Sequence, residues 1–423
     1  MKRFTLILLV FMMFFSLTLM GDGVKRGTLS NPTMLLNDTG ILTTYPAAIQ
    51  QFPNSIWIKV DNTPNNYFGF AYKFNDLAAI STFYAFTADN TTVTVPAPYN
   101  TIFSVAPATF SIPNNQHIFL LYGLKLSNIY GGLLVQNSFV DGTSISSKTI
   151  DTNEKEVKGE IFSGFKTEIK PSVILSVWKL TIYGTAKVKL NMNSYEKFTS
   201  YKSNDLEITP NILENIGADV TTTFDLSKKM LVGATVNFSM SNRGYKVSPT
   251  TNTKSLSETN YISKSISIGL TLGTKIDATK DLTLFFDIPM GIKFVTAGHW
   301  EGVAYNSQRV YSIPTLKAGA DLNLGKGFNF RASAYPQWTR TVTEPSKNGT
   351  ETIDSTYTFA TLFTKLGLGY HTGNFYINAE IAANTFNNEA QKPLYVLDGL
   401  FSGTPGGNKF FTQIQINYLF NTK

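Results

Sequence analysis

At 423 residues, with 43% apolar and 15% charged side chains, the chain is neither disordered nor built from apolar spanning helices. A barrel that alternates a lipid-facing residue with a polar one keeps a composition this mild. The absence of cysteine excludes a disulfide framework, thiolate catalysis and Cys-ligated metal, and a net charge of +7 spread over scattered lysines offers no basic stripe for nucleic acid.

The N-terminus reads MKRFTLILLVFMMFFSLTLMGDG. Lys2 and Arg3 precede an apolar run from Phe4 to Met20 and small residues at Gly21 and Gly23, the layout of a secretory signal peptide. Residues 1–23 are read as that peptide, cleaved near Gly21 or Gly23. Residues 24–54 form an N-terminal segment, periplasmic or plugging, and residues 55–423 the main domain.

From Ser55–Asp61 onward the apolar residues recur with period 2 rather than at helical spacing. In Tyr261–Asp277, Ile262, Ile266, Ile268, Leu270, Leu272 and Ile276 share one parity, while Ser265, Ser267, Thr271 and Lys275 share the other. The next run places Leu282, Leu284, Phe286, Ile288, Met290, Ile292 and Phe294 together, after only Ala278-Thr279-Lys280. Two such runs predict a hairpin. At 14 to 17 residues they exceed the five or six typical of globular strands and exceed the roughly 9–11 that a tilted strand needs to cross hydrocarbon. The chain closes on the same pattern, Phe410–Phe420.

Connections alternate in length. Short ones are expected near Asn75-Asp76, Ser127-Asn128, Pro171, Ser227-Lys228, Thr279, Gly325-Lys326 and Thr372-Gly373. Between them lie long polar stretches at 88–115, 140–159, 191–211, 244–260, 297–309, 342–355 and 387–407. Short turns on one side and long loops on the other characterise outer-membrane barrels. The predicted fold is therefore all-β: a transmembrane antiparallel up-and-down β-barrel of 14–16 strands, with long extracellular loops and short periplasmic turns.

If the apolar parity meets lipid, the other lines a lumen bearing Lys166, Glu168, Lys179, Lys187, Lys189, Asp219, Asp225, Lys275, Asp277, Asp287, Lys293, Lys317, Asp321, Arg331, Lys365 and Glu380, with Gln413 and Gln415 on the last strand. Charges on the lipid face would cost about 2–4 kcal/mol each at the midplane, so their gathering on one parity supports the assignment; Lys264 is an exception near an outer strand end. Phe162, Tyr183, Phe285, Tyr335 and Tyr376 share the inward parity. Phe328, Tyr370, Phe375, Tyr418 and Phe420 fall beside periplasmic ends on the lipid parity, where aromatic rings suit the headgroup boundary.

No site for chemistry stands out. His117, His299 and His371 are far apart, the HWE at 299–301 falls in an expected loop, and no nucleophile-elbow, phosphate-loop or dinucleotide motif appears. The expectation is a protein without catalytic residues, cofactor or metal.

The stretch NDTGILTTYPAAIQQFPNSIWIKVDN, Asn37–Asn62, resembles the segment before the first strand in barrels of the long-chain fatty-acid transporter (FadL-like) and related PorV-like group. Pro46-Ala47 match that group's Asn-Pro-Ala triplet, with Tyr45 in place of the Asn. The resemblance implies a fourteen-strand barrel, a small N-terminal plug and passage of hydrophobic solutes. The final strand resembles the C-terminal signal read by the barrel assembly machinery, with Tyr418 and Phe420 in place and Asn421-Thr422-Lys423 beyond.

The functional expectation is a porin-like channel in the cell outer membrane for passive passage of small solutes, hydrophobic or amphipathic ones among them. The alternative is a non-conducting surface barrel whose long loops act in adhesion or partner binding. Expected partners are outer-membrane lipid and the assembly machinery, not nucleic acid; the oligomeric state is left open.

Overall fold

In the computed structural model the sheet closes on itself. The structure describes residues 29, 33–35, 41–52, 54–61, 66–86, 89–94, 109–140, 158–159, 164–191, 195–199, 205–242, 244–249, 259–301, 307–344, 354–386 and 413–420. The expected signal peptide, Phe162, residues 421–423 and most of the expected loops lie outside them. Twenty-two hydrogen-bonded segments make sixteen strands, because six strands are interrupted and resume against the same neighbours.

The first half comprises β1 Ser55–Asp61, β2 Asn66–Lys73, β3 Ala78–Phe86 resuming as Asp89–Thr94, β4 Thr109–Leu126, and β5 Ile129–Val140. It continues with β6 Lys158–Gly159 and Gly164–Val177, β7 Leu180–Asn191 and Tyr195–Thr199, and β8 Asp205–Pro210 and Leu213–Ser227. The second half is β9 Met230–Asn242 and Tyr245–Pro249, β10 Thr259–Asp277, β11 Leu282–Trp300, and β12 Ser307–Ser312 and Lys317–Gly325. The last four are β13 Phe328–Glu344, β14 Asp354–Thr372, β15 Phe375–Phe386 and β16 Gln413–Leu419. The seam joins β16 to β1 from Ser55↔Leu419 to Asp61↔Gln413, and the Phe420 amide donates to the Asn54 carbonyl at 3.0 Å. The count is sixteen, not the fourteen that the resemblance implies.

The distribution of polarity is inverted relative to a water-soluble fold. Ile118, Leu120, Leu133, Val173, Val236, Ile268, Leu272, Ile288 and Leu368 are exposed on the outer face, whereas Lys59, Lys166, Glu214, Asp287, Asp321, Arg331 and Glu380 are buried within. Such an apolar belt is stable only against lipid. No described helix is long and apolar enough to cross a membrane, so crossing falls to the strands, whose closure satisfies the backbone without an edge.

Turn chemistry sets the hairpins. Thr279 Oγ1 accepts from the Asp281 and Leu282 amides at 3.2 and 3.0 Å, closing the β10–β11 turn. Gly325, Lys326 and Gly327 all take positive φ between β12 and β13, which the glycines permit without strain.

Pro171 is not a turn. It lies inside β6, in register with Leu133, and the actual turn is Trp178-Lys179. The β6–β7 register skips Lys170 and Pro171, and the Thr185 hydroxyl donates to the Pro171 carbonyl at 3.1 Å. A strand tolerates proline where the ladder does not need its donor. The expected loops are also partly strand: β8 begins at Asp205, and β11 runs through His299 and Trp300, paired with Ile262 and Tyr261.

Candidate functional site

The N-terminal segment lies inside the barrel. One helical turn, Ile41–Thr44, leads into a 3-10 helix, Pro46–Gln51, whose proline sits at the first turn where no donor is lost. Ile41, Leu42, Tyr45, Ala47, Ala48 and Ile49 pack into one apolar cluster with Phe119, Leu121, Leu134 and Ile174 of the wall. Polar contacts also pin it: the Ala47 amide donates to Ser172 Oγ at 2.6 Å, Gln50 Nε2 to the Gly123 carbonyl at 2.8 Å, and Lys170 Nζ to the Thr43 carbonyl at 3.1 Å. Tyr45 and Thr221 share a hydroxyl hydrogen bond at 2.6 Å. Close approach requires missing side chains in the wall: a Cβ at Gly132 would lie 2.2 Å from the Ala47 nitrogen, and one at Gly123 2.2 Å from Ile49.

Leu29 and residues 33–35 lie against the opposite wall. The Thr33 amide donates to Asp287 Oδ2 at 2.7 Å, Leu29 clusters with Leu35 and Phe285, and Met34 approaches Gly233 and Gly273. The described parts of this segment therefore meet two unlike parts of the wall.

One arc, β1 to β4, carries a cluster of rings beside the plug. Phe83 stacks on Phe119 with centroids 4.2 Å apart, Trp57 lies 6.2 Å from Phe83, and Tyr183 meets Tyr45 at 5.6 Å. Above these rings His117 Nδ1 and Ser138 Oγ lie 2.6 Å apart. The other arc is charged. Arg331 bonds Asp321 at 3.2 Å and Asn378 at 2.7 Å, Lys365 pairs with Glu380 at 3.5 Å, and Lys317 caps the Tyr335 ring at 4.9 Å. Lys275 pairs with Asp277 at 3.3 Å.

Register decides where each expected lumen residue stands. From Ser172, which touches the plug, the inward parity passes through Lys166, Glu168 and Lys170 on β6, then Lys187 and Lys189 on β7, and Asp219 and Asp225 on β8. It continues through Lys275, Asp277, Asp287, Lys293, Lys317, Asp321, Arg331, Lys365 and Glu380. Gln415 is buried and donates to Asn417 at 2.9 Å, and Gln413 stands in register with Asp61 and Glu380. Lys179 is a correction. It belongs to the Trp178-Lys179 turn, exposed, its ammonium 5.2 Å from the Trp178 ring, because the hairpin turns seven residues beyond Pro171.

Glu214 escaped the alternation. A bulge between Leu213 and Asn215 lets two successive residues face inward, and Glu214 thereby takes Lys189 at 3.2 Å and Lys166 at 3.4 Å. Trp57, Phe83 and Phe119 also went unassigned, lying in the least regular runs of the sequence. At the short-turn rim, Phe328 faces Tyr370 at 4.6 Å, Phe375 pairs in register with Tyr418, and Phe420 stacks with Tyr72 at 6.3 Å.

The wall is interrupted just beyond the plug. The β11–β12 register stops at Asp287↔Lys317 and resumes at Gly291↔Ser312, setting four residues, Ile313 to Leu316, against three. On the other side it stops at Ala318↔Ala334 and resumes at Ser312↔Thr339. Pro289, Pro314 and Pro336 occupy this level on three adjacent strands. None can donate to a ladder.

Fold and polarity define a transmembrane β-barrel of the outer-membrane kind with an internal plug. No protein-family model and no curated protein matches the chain. Among solved structures it is similar to the Pseudomonas putida toluene transporter TodX, at 11% identity over 95% of this chain and 99% of that one, with a TM-score of 0.41. It is similar to the CymD monoaromatic hydrocarbon channel, at 11% identity, 95% and 98% coverage and a TM-score of 0.40. The FrpB iron transporter from Neisseria meningitidis matches at 9% identity, 80% and 63% coverage and a TM-score of 0.38. Scores this low leave the class to rest on the strand closure and the inverted polarity.

Proposed function

We propose that this barrel is an outer-membrane channel for passive, porin-like passage of small solutes, hydrophobic and amphipathic ones among them. The observation that carries the reading is a lumen in which a cluster of rings on β1 to β4 stands beside ionised side chains of the neighbouring wall, next to a plug whose apolar face packs on those rings. A solute with an apolar body and a polar end finds both surfaces side by side, and a polar wall lowers the cost of moving water and solute through lipid without a catalytic step. The interruption at Ile313–Leu316 lies directly above the plug, where unpaired backbone in hydrocarbon would cost several kcal/mol if lipid alone faced it. A local path from lumen to membrane for apolar solutes gives that interruption a use.

The plug also supports a second reading, a non-conducting barrel that presents its long loops to a partner. Planar-bilayer recording separates the two. Deleting residues 24–52 is expected to open large, steady channels, with small or intermittent ones in the intact chain. Silence from both proteins at high salt would sink the channel and leave the surface barrel.

A further inference from the structure

The short-turn rim is uneven. Most of its connections use residues suited to a tight turn, such as Ser127-Asn128, Lys326-Gly327 and Gly373-Asn374. The β6–β7 turn instead carries Trp178 at φ 53°, a left-handed conformation rare for a bulky residue, with 85% of its surface exposed. Its ring leans edge-on against Phe224 at 6.2 Å, on the outward parity, flanked by the exposed Val177 and Leu226. Water gives no reason to display an indole there. A headgroup boundary does, since indole rings concentrate at that depth.

The neighbouring tip adds charge. β7 and β8 pair from Leu180↔Phe224, and the Asp225 amide donates to the Lys179 carbonyl at 3.0 Å, so Lys228 and Lys229 of the next turn stand beside Trp178 and Lys179. Two other lysines of this rim are neutralised, Lys73 by Asp76 at 3.3 Å and Lys280 by Asp281 at 3.9 Å. Among the described residues no carboxylate pairs with Lys179, Lys228 or Lys229. Asp225 is the nearest acid in sequence, and it lies on the lumen parity.

We propose that the adjacent hairpin tips Trp178-Lys179 and Lys228-Lys229 bind the phosphate headgroup of an anionic phospholipid in the leaflet facing the periplasm. The indole sits at the acyl boundary and three ammonium groups converge on the phosphate, as basic residues near a membrane surface select anionic lipid. The inference rests on the barrel orientation adopted above, short turns toward the periplasm.

The test uses the full mature chain with Trp57→Phe, Trp300→Phe and Trp338→Phe, leaving Trp178 as the sole fluorophore. It is reconstituted in phosphatidylcholine vesicles in which a fixed fraction of lipid is chain-brominated phosphatidylglycerol or chain-brominated phosphatidylcholine. Brominated phosphatidylglycerol is expected to quench Trp178 about two-fold more. Lys179→Gln, Lys228→Gln and Lys229→Gln together should equalise the two lipids, while heat-modifiable migration on gels stays that of the folded barrel. Equal quenching before the lysines are changed overturns the headgroup site, as does quenching by aqueous acrylamide with none by lipid, which assigns the tip to water or a periplasmic protein. A chain that fails to enter vesicles overturns the membrane barrel itself and is recognised by the lack of heat-modifiable migration.

Discussion

Arg331 shows how a single inward residue is committed. Its guanidinium lies across Gly369, where a Cβ would come within 2.7 Å of it, and joins Asp321 to Asn378. Replacing Arg331 by Leu removes the guanidinium from the buried Asp321 carboxylate, a loss on the order of 3 kcal/mol; urea titration in detergent micelles should show the midpoint fall accordingly. Glu214 makes a different prediction. With two lysines on one carboxylate, Glu214→Gln releases positive charge into the lumen, and the reversal potential under a salt gradient should shift toward anion preference. An unchanged potential would mean that ions do not pass this wall. Arg331 was legible from alternation, whereas Glu214 was not, because a bulge changes parity without changing composition.

The plug and the seam act as elements. Gly132 exists so that Ala47 can reach the wall, and Gly132→Leu is expected to force the 3-10 helix inward or out. Single-channel recording should then show conductance approaching that of the chain lacking residues 24–52; a conductance equal to the parent would show that the plug does not limit flow. Among the described residues the seam runs over seven residue pairs, and Phe420 fixes its lower end by stacking on Tyr72. Phe420→Ser should lower the heat-modifiable, membrane-assembled fraction several-fold in cells, with Tyr418→Phe close to the parent. Turns near Ser127, Thr279, Lys326 and Gly373 were readable from glycine, asparagine and threonine chemistry. The turn at Trp178-Lys179 was not, since a tryptophan in a left-handed turn carries no turn signature and Pro171 offers a false one.

At the scale of the whole molecule, alternation in the sequence established which side chains share a face. Period 2 fixes which side chains share a face regardless of what the face meets, and charge cannot be spared to lipid, so one parity had to be the lumen. Strand length and the alternation of short and long connections supplied the rest of the class. What the sequence could not supply is closure: the register of β16 on β1, the choice of sixteen within the range of 14–16, and the level at which Pro289, Pro314 and Pro336 meet. Those depend on pairings between residues hundreds of positions apart, which no local pattern encodes. The same holds for the plug, where Ala47 meets Ser172 and Thr33 meets Asp287 only because the wall has already closed around them.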